Sequence, residues 1–370
     1  MRAIPVQFRL LLACLAVLAA PSVSFAVEAA VQKAKASPDD TTEWYDCKDL
    51  DVEGKGWTET KAFYDRLPAK AEGKVPASVW GLSHNSAGMC VPFTSDASSI
   101  QVRWTLLNGD RLSMPHMPAT GVSGVDLYSK DKTGRWHFVA NGRPAAVTNT
   151  ARFTLPSGQP CMLYLPLYNG VTSVEIGVPK GTTLSPLDRG LAQQCKPVVI
   201  YGTSITQGGC ASRPGMAFPA IVGRQLDTPT INLGFSGSGR MEPEMADLLA
   251  ELDPSVYVLD CLWNMSADLV STRIEPFVKT LRAAHPDTPI LLAEDCSVRN
   301  VCPTEKGTIL RAIYEKLAAE GVKNLHFLPN EGMLGDDTEG TVDGCHPNDL
   351  GMMRQAQVFS QAIAPLLVKQ

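Results

Sequence analysis

Five short apolar runs in the second half of the chain constrain the fold more than any other feature. They read "PVVIYG" (197–202), "PTINLG" (229–234), "SVYVLDC" (255–261), "PILLAED" (289–295) and "NLHFLP" (324–329). Each is continuously apolar rather than alternating, which is the pattern of strands buried on both faces. Helical stretches are predicted between them, over about 215–226, 242–252, 271–284 and 304–320, with a last helix over 349–367. Strands alternating with helices predict an α/β fold, with an open, doubly wound parallel sheet of five strands. In such sheets the chemistry gathers at the C-terminal ends of the strands. The residues just past each run are therefore the candidates for function.

The first half reads differently. Short apolar or alternating runs recur at 99–107, 124–130, 136–140, 151–155, 161–167 and 173–178, separated by turn clusters such as Lys132-Thr133-Gly134 and Asn141-Gly142. This is the pattern of an all-β sandwich. The expected organisation is a β-sandwich over 43–188 and the α/β part over 189–370. Before them, 27–42 is small, polar and charged, as in a flexible leader, and 1–26 reads as a secretory signal. Arg2 and Arg9 form its basic region, Leu10 to Ala20 its apolar stretch, and Ser24-Phe25-Ala26 its cleavage site. The rival is a lipoprotein signal at Cys14, but that cysteine lies inside the apolar run rather than after it. No other stretch is apolar enough to span a bilayer, so no stable membrane insertion is expected after cleavage. The expected location is secreted or periplasmic.

Export alters the reading of the ten cysteines. Without Cys14 nine remain, an odd number, and disulfides are plausible in an oxidising compartment. Cys296 and Cys302 are a candidate local pair, and Cys345 a candidate for a bridge that steadies its loop. No Cys-x-x-Cys occurs and no His/Cys cluster has zinc spacing, so no metal is expected. The formal net charge of -5, with no basic run, argues against nucleic acid as a partner.

Four strand ends carry candidate chemistry. After the first comes "YGTSITQGG", in which Ser204 follows a tight turn. A serine hydroxyl becomes a nucleophile only when a base takes its proton. Thr203, Ser204 and Thr206 would equally suit a helix cap. After the second comes "LGFSGSGRM", where Gly237 can offer a backbone N–H to an oxyanion. A dinucleotide loop is the rival there, with Asp260 as its acid. The spacing is G-x-x-G-x-G rather than G-x-G-x-x-G, and the loop does not follow the first strand. After the third comes Asn264, either an oxyanion donor or a turn asparagine. Asn264-Met265-Ser266 is also a formal glycosylation sequon, but a site-lining position argues against its use. Last, "TVDGCHPNDLG" (341–351) places Asp343 and His346 on one loop. A carboxylate that accepts from one ring nitrogen leaves the other free to take a proton. In isolation they also read as a solvated Asp and a loop His.

The order of these four signals resembles the SGNH (GDSL) hydrolase superfamily. Its four blocks match Ser204, Gly237, Asn264 and His346, with Asp343 completing a triad. Its usual Gly-Asp-Ser stands here as Gly202-Thr203-Ser204, and its Gly-x-Asn-Asp as Leu262-Trp263-Asn264-Met265, which points to a divergent branch. Within "HMPATGVSGVDLY" (116–128), Gly124, Asp126, Leu127 and Tyr128 resemble the GxDLY motif of a jelly-roll-like sandwich that precedes such domains. The resemblance implies a flavodoxin-like sheet and a serine esterase. Ser204 would be the nucleophile, His346 the base and Asp343 its partner. Ser204 and Gly237 N–H groups with the Asn264 amide would form the oxyanion hole. No cofactor is implied. The implied substrate is an O-acetyl or other short-chain ester, on an acetylated carbohydrate. Lipid or thioester hydrolysis and a non-catalytic glycan-binding role are the alternatives. Arg213 and Arg240 are candidate ligands for an acidic sugar but read first as helix-end or surface residues; His116 could reach toward the active site but reads first as a loop histidine.

Overall fold

The computed structural model describes residues 41–156, 158–188, 195–296, 298–299 and 301–367. The signal-peptide reading of 1–26 and nearly all of the leader over 27–42 lie outside the described residues.

The first half forms two antiparallel sheets. Its strands are β1 (Thr42–Asp46), β2 (Cys90–Ser95), β3 (Ser99–Leu106), β4 (Val125–Lys130), β5 (Trp136–Gly142), β6 (Thr148–Thr154), β7 (Cys161–Tyr164), β8 (Val171–Pro179) and β9 (Leu184–Pro186). One sheet has the order β1-β8-β3-β6 and the other β5-β4-β7-β2-β9. Two short helices, α1 (Ala77–Ser83) and α2 (Ala119–Val122), lie in the connections. β3 shows the one-sided alternation of a sandwich strand, with Ile100, Val102, Trp104 and Leu106 buried. Strands β1, β2 and β9 fall outside the sequence-based expectation for physical reasons. β2 contains Pro92, which normally argues against a strand. β9 has three residues, and β1 pairs only with β8.

The second half carries β10 (Val198–Gly202), β11 (Thr230–Gly234), β12 (Val256–Asp260), β13 (Ile290–Ala293) and β14 (Leu325–Leu328). They form one parallel sheet in the order β11-β10-β12-β13-β14, the flavodoxin-like doubly wound arrangement. The helices are α3 (Ser204–Gln207), α4 (Phe218–Leu226), α5 (Pro243–Leu249), α6 (Ala267–Ala284), α7 (Glu305–Ala319) and α8 (Asp349–Ile363). Val199 and Tyr201 of β10 face one core with Met245, Ile274 and Leu310 of α5, α6 and α7. Val198 and Ile200 face the other core with Phe218 of α4 and Phe359 of α8. Their rings stack at 4.8 Å. Burial on both faces explains why these strands lack alternation. The register makes Gly202 level with Gly234 on one side and with Asp260 on the other. Three strand ends thus open onto one edge.

The GxDLY residues lock the sandwich to this half. Leu127 enters the sandwich core. Asp126, beside it on β4, points the other way and is fully buried. Its Oδ2 accepts from Arg213 Nη1 at 3.0 Å and from the Gly215 N–H at 2.9 Å. Burial pushes the Asp126 carboxyl up to about 6, against the pull of Arg213 and the Gly215 N–H. The Tyr128 hydroxyl accepts from the same guanidinium nitrogen. Residue 215 must be glycine, because a Cβ there would lie 2.4 Å from the Tyr128 ring. Arg213 is thus a structural partner of Asp126 rather than a free ligand for an acidic sugar.

Arg213→Met would leave the Asp126 carboxylate buried without its cation. Urea unfolding is expected to show a loss of roughly 3 kcal/mol, the usual cost of breaking a buried pair from one side. Asp126→Asn together with Arg213→Met is expected to lose less than the sum of the two single changes.

Candidate active site

Ser204 emerges directly from the end of β10. The helix it opens, α3, is a single turn, stopped by Gly208 in the left-handed region. Thr203 caps that turn by accepting from the Ile205 N–H. The cap reading of this stretch therefore holds for Thr203, while Ser204 faces elsewhere. Its Oγ lies 2.9 Å from His346 Nε2. His346 Nδ1 lies 2.8 Å from Asp343 Oδ2. Asp343 does more than face the ring. Its Oδ1 accepts the N–H of His346 at 2.7 Å and that of Cys345 at 3.0 Å. The Val342 N–H closes the loop onto the His346 carbonyl at 2.9 Å. Partial burial would raise the Asp343 carboxyl, but the bonds from His346 and Cys345 outweigh it and hold it down at about 2. An ionised Asp343 keeps the proton on Nδ1 and leaves the Nε2 lone pair for the serine proton.

The other expected residues lie on the neighbouring strand ends. Gly237 is exposed at φ +68°, beyond β11, with open space around it. Asn264 closes a single turn beyond β12. Its Nδ2 donates to the Ser238 carbonyl at 2.6 Å, which ties the third strand end to the Gly237 loop. One amide hydrogen of Asn264 is spent there and one remains. Neither the Ser204 nor the Gly237 N–H is engaged among the described residues. These groups form a set of donors suited to a developing negative oxygen.

Several residues that support the site were missed by sequence or read there in other roles. Arg66 is fully buried and has no carboxylate partner among the described residues; its guanidinium donates to the carbonyls of Leu82, Asn85, Asn232 and Gly234. It thereby fastens the end of β11 to the segment between β1 and β2. Burial lowers its pKa to about 9. Tyr168, from the sandwich half, donates its hydroxyl to the Ser204 carbonyl at 3.1 Å. The ring of His116 lies 6.0 Å from that of His346, so this residue belongs to the rim of the site rather than to an unrelated loop. Below Ser204, Thr206 Oγ1 donates to the buried Asp260 Oδ2 at 2.7 Å. Asp260 is thus the anchor of α3.

The cysteine expectations need correction. None of the nine cysteines among the described residues is in a disulfide. Cys296 is buried and its sulfur accepts from Gln355 Nε2 at 3.2 Å, while Cys302 is exposed beside Glu331. The loop of Cys345 is steadied by the hydrogen bonds to Asp343 instead. Arg240 is an exposed residue whose backbone meets Arg273 and Glu242. Among the described residues no group of His, Cys, Asp and Glu could hold a metal ion. No helix among them is long and apolar enough to cross a membrane.

Residues 195–364 match the model of the GDSL-like lipase/acylhydrolase family. The solved structure of a "putative GDSL-like lipase" from Bacteroides ovatus ATCC 8483 is 35% identical, with a TM-score of 0.81, covering 88% of this chain and 98% of that one. The chain belongs to this family of ester hydrolases. Residues 42–184 match a second model, GxDLY, described as the N-terminus of SGNH-hydrolase-type esterases. The fold is shared at lower identity by two other structures. One is the salicylyl-acyltransferase SsfX3 from a tetracycline biosynthetic pathway, 20% identical, TM-score 0.68, covering 91% of this chain and 98% of that one. The other is a family two carbohydrate esterase from Cellvibrio japonicus, 12% identical, TM-score 0.58, covering 88% and 98%. No curated protein matches the chain in sequence.

Asp260 supplies a pH test of the support beneath the serine. Burial pushes its carboxyl up to about 7; the Thr206 hydroxyl opposes this and Asp295 adds to it. An unfolded Asp titrates near 3.9. The contribution is therefore full below about pH 4 and lost as pH rises through about 7. Asp260→Asn removes that dependence. Between pH 4 and 8 wild type is expected to lose up to about 4 kcal/mol of unfolding free energy relative to the variant, measured by denaturant titration at each pH.

Proposed function

We propose that this chain is an exported serine esterase that removes O-acetyl groups from a polysaccharide through an acyl-enzyme. The unbroken chain of hydrogen bonds from Ser204 Oγ through His346 to Asp343 carries the reading. His346 Nε2 takes the serine proton as Oγ attacks the ester carbonyl. The carbonyl oxygen becomes an oxyanion held by the N–H groups of Ser204 and Gly237 and the remaining amide hydrogen of Asn264. Asp343 stabilises the imidazolium that forms. His346 then protonates the departing sugar oxygen, leaving acetyl on Ser204. Water repeats the sequence, with His346 again as base, and releases acetate.

Two further observations support a carbohydrate ester at this site. The fold is shared with a family two carbohydrate esterase. The sandwich half supplies Tyr168 and His116 at the site, as expected of a second domain that helps to hold a large substrate. The basic and apolar character of residues 1–26 supports export to the periplasm or medium.

Purified wild type is expected to hydrolyse p-nitrophenyl acetate and to release acetate from acetylated glycans. Ser204→Ala should abolish both. Asn264→Ala should lower kcat by roughly two to three orders of magnitude, since one oxyanion donor is lost. If no short-chain ester is turned over and a serine-reactive phosphonate leaves Ser204 unlabelled, the esterase reading is wrong.

A further inference from the structure

A cleft of about 420 Å³ opens beside the nucleophile, between the chain at Gly81–Asn85, the loop at Leu107–Met114 and the pair Tyr168–Asn169. Two of its lining residues connect it to the site. Tyr168 donates to the Ser204 carbonyl, and Ser236 directly precedes Gly237. An acetyl group is far too small to fill it. The cleft therefore suits the alcohol part of the ester, the sugar that carries the acetyl group.

Its chemistry is one-sided. No Asp or Glu lines it, although the chain as a whole carries a net charge of -5. Arg111 is exposed there, and its guanidinium makes no hydrogen bond or ion pair among the described residues. Its backbone, in contrast, is held. Its carbonyl accepts from Ser123 Oγ at 3.3 Å and from Asn169 Nδ2 at 3.4 Å, and Asn169 also grips both backbone groups of Asn108. His84 is held by the buried carboxylate of Asp65, 2.9 Å from its Nδ1. Asn85 keeps its amide nitrogen, since its Oδ1 accepts from Gln207 and no bond from its Nδ2 is formed among the described residues. A fixed loop presenting an unpaired guanidinium, beside the Asn85 amide nitrogen and no lining carboxylate, matches a carboxylate ligand.

We infer that Arg111 reads a carboxylate on the substrate, so that the acetylated sugar chain is an acidic one carrying uronic acid units. The inference rests on the esterase reading and names its substrate class. Arg111 is a specificity-determining residue here and takes no part in the reaction at Ser204.

The test compares acetate release from acetylated oligogalacturonate, which is acidic, and from acetylated xylo-oligosaccharide, which is neutral. Wild type is expected to favour the acidic substrate in kcat/KM, and salt should erode that advantage. Arg111→Gln should lower the acid-over-neutral ratio about tenfold, mainly through KM, as loss of one charge-assisted bond predicts. Arg111→Lys should recover part of it. A ratio unchanged by Arg111→Gln, whether both rates fall together or neither falls, overturns the proposal. Failure of the esterase reading shows separately, as wild type inactive on p-nitrophenyl acetate. In that event calorimetry on Ser204→Ala still decides the cleft. Unacetylated trigalacturonate should bind more tightly than xylotriose, and adding Arg111→Gln should remove the difference; equal binding of the two sugars sinks the proposal.

Discussion

Backbone pairing of β10 with β11 and β12 sets Gly202, Gly234 and Asp260 level, and the Ser204, Gly237 and Asn264 part of the candidate site hangs from those three ends. Ser204 lies two residues past the first, Gly237 three past the second and Asn264 four past the third. A slip of one residue in either pairing would move one set of donors by about 3.3 Å, more than a hydrogen bond tolerates. Burial of the sheet on both faces resists such a slip, because Val199 and Tyr201 enter one core while Val198 and Ile200 enter the other.

Two arginines transmit that order to the rest of the chain by opposite means. Arg213 neutralises the buried Asp126 and so fixes the sandwich against the loop that follows the serine. Among the described residues Arg66 meets no anion and is satisfied by carbonyl groups, two of them at the end of β11. The first is an ion pair whose loss strands a charge. The second is a cation dissolved in backbone dipoles, and its loss would leave carbonyls unpaired. The sandwich is therefore a wall of the site as well as a neighbour of it.

The parallel sheet and the Ser204, Gly237, Asn264, Asp343 and His346 set were legible because each depends on local pattern: continuous apolar runs, and polar residues just past them. What could not be read depends on contacts between distant segments. Arg66 looks like any basic residue in a polar stretch, and its burial follows only from carbonyls at 82, 85, 232 and 234 meeting in space. His116 carries no local mark of its place beside His346, 230 residues later. Arg213, read from its nearness to Ser204, proved to belong to Asp126. β2 was hidden by Pro92, a residue that usually argues against a strand. The cysteines misled for another reason. Export makes bridges plausible, but pairing is a matter of geometry that composition does not contain.

Asp343 accepts from the ring and from two backbone N–H groups of its own turn, so Asp343 and His346 form one self-contained cassette. Their mutual geometry is fixed within their own turn, although His346 lies 142 positions beyond Ser204. The stretch between Asn264 and Thr341 is therefore free to lengthen, shorten or change course over generations without retuning the pair. Only the docking of the cassette against the serine has to be kept. A fold wired in this way can remodel its far edge for new substrates while its proton path stays intact.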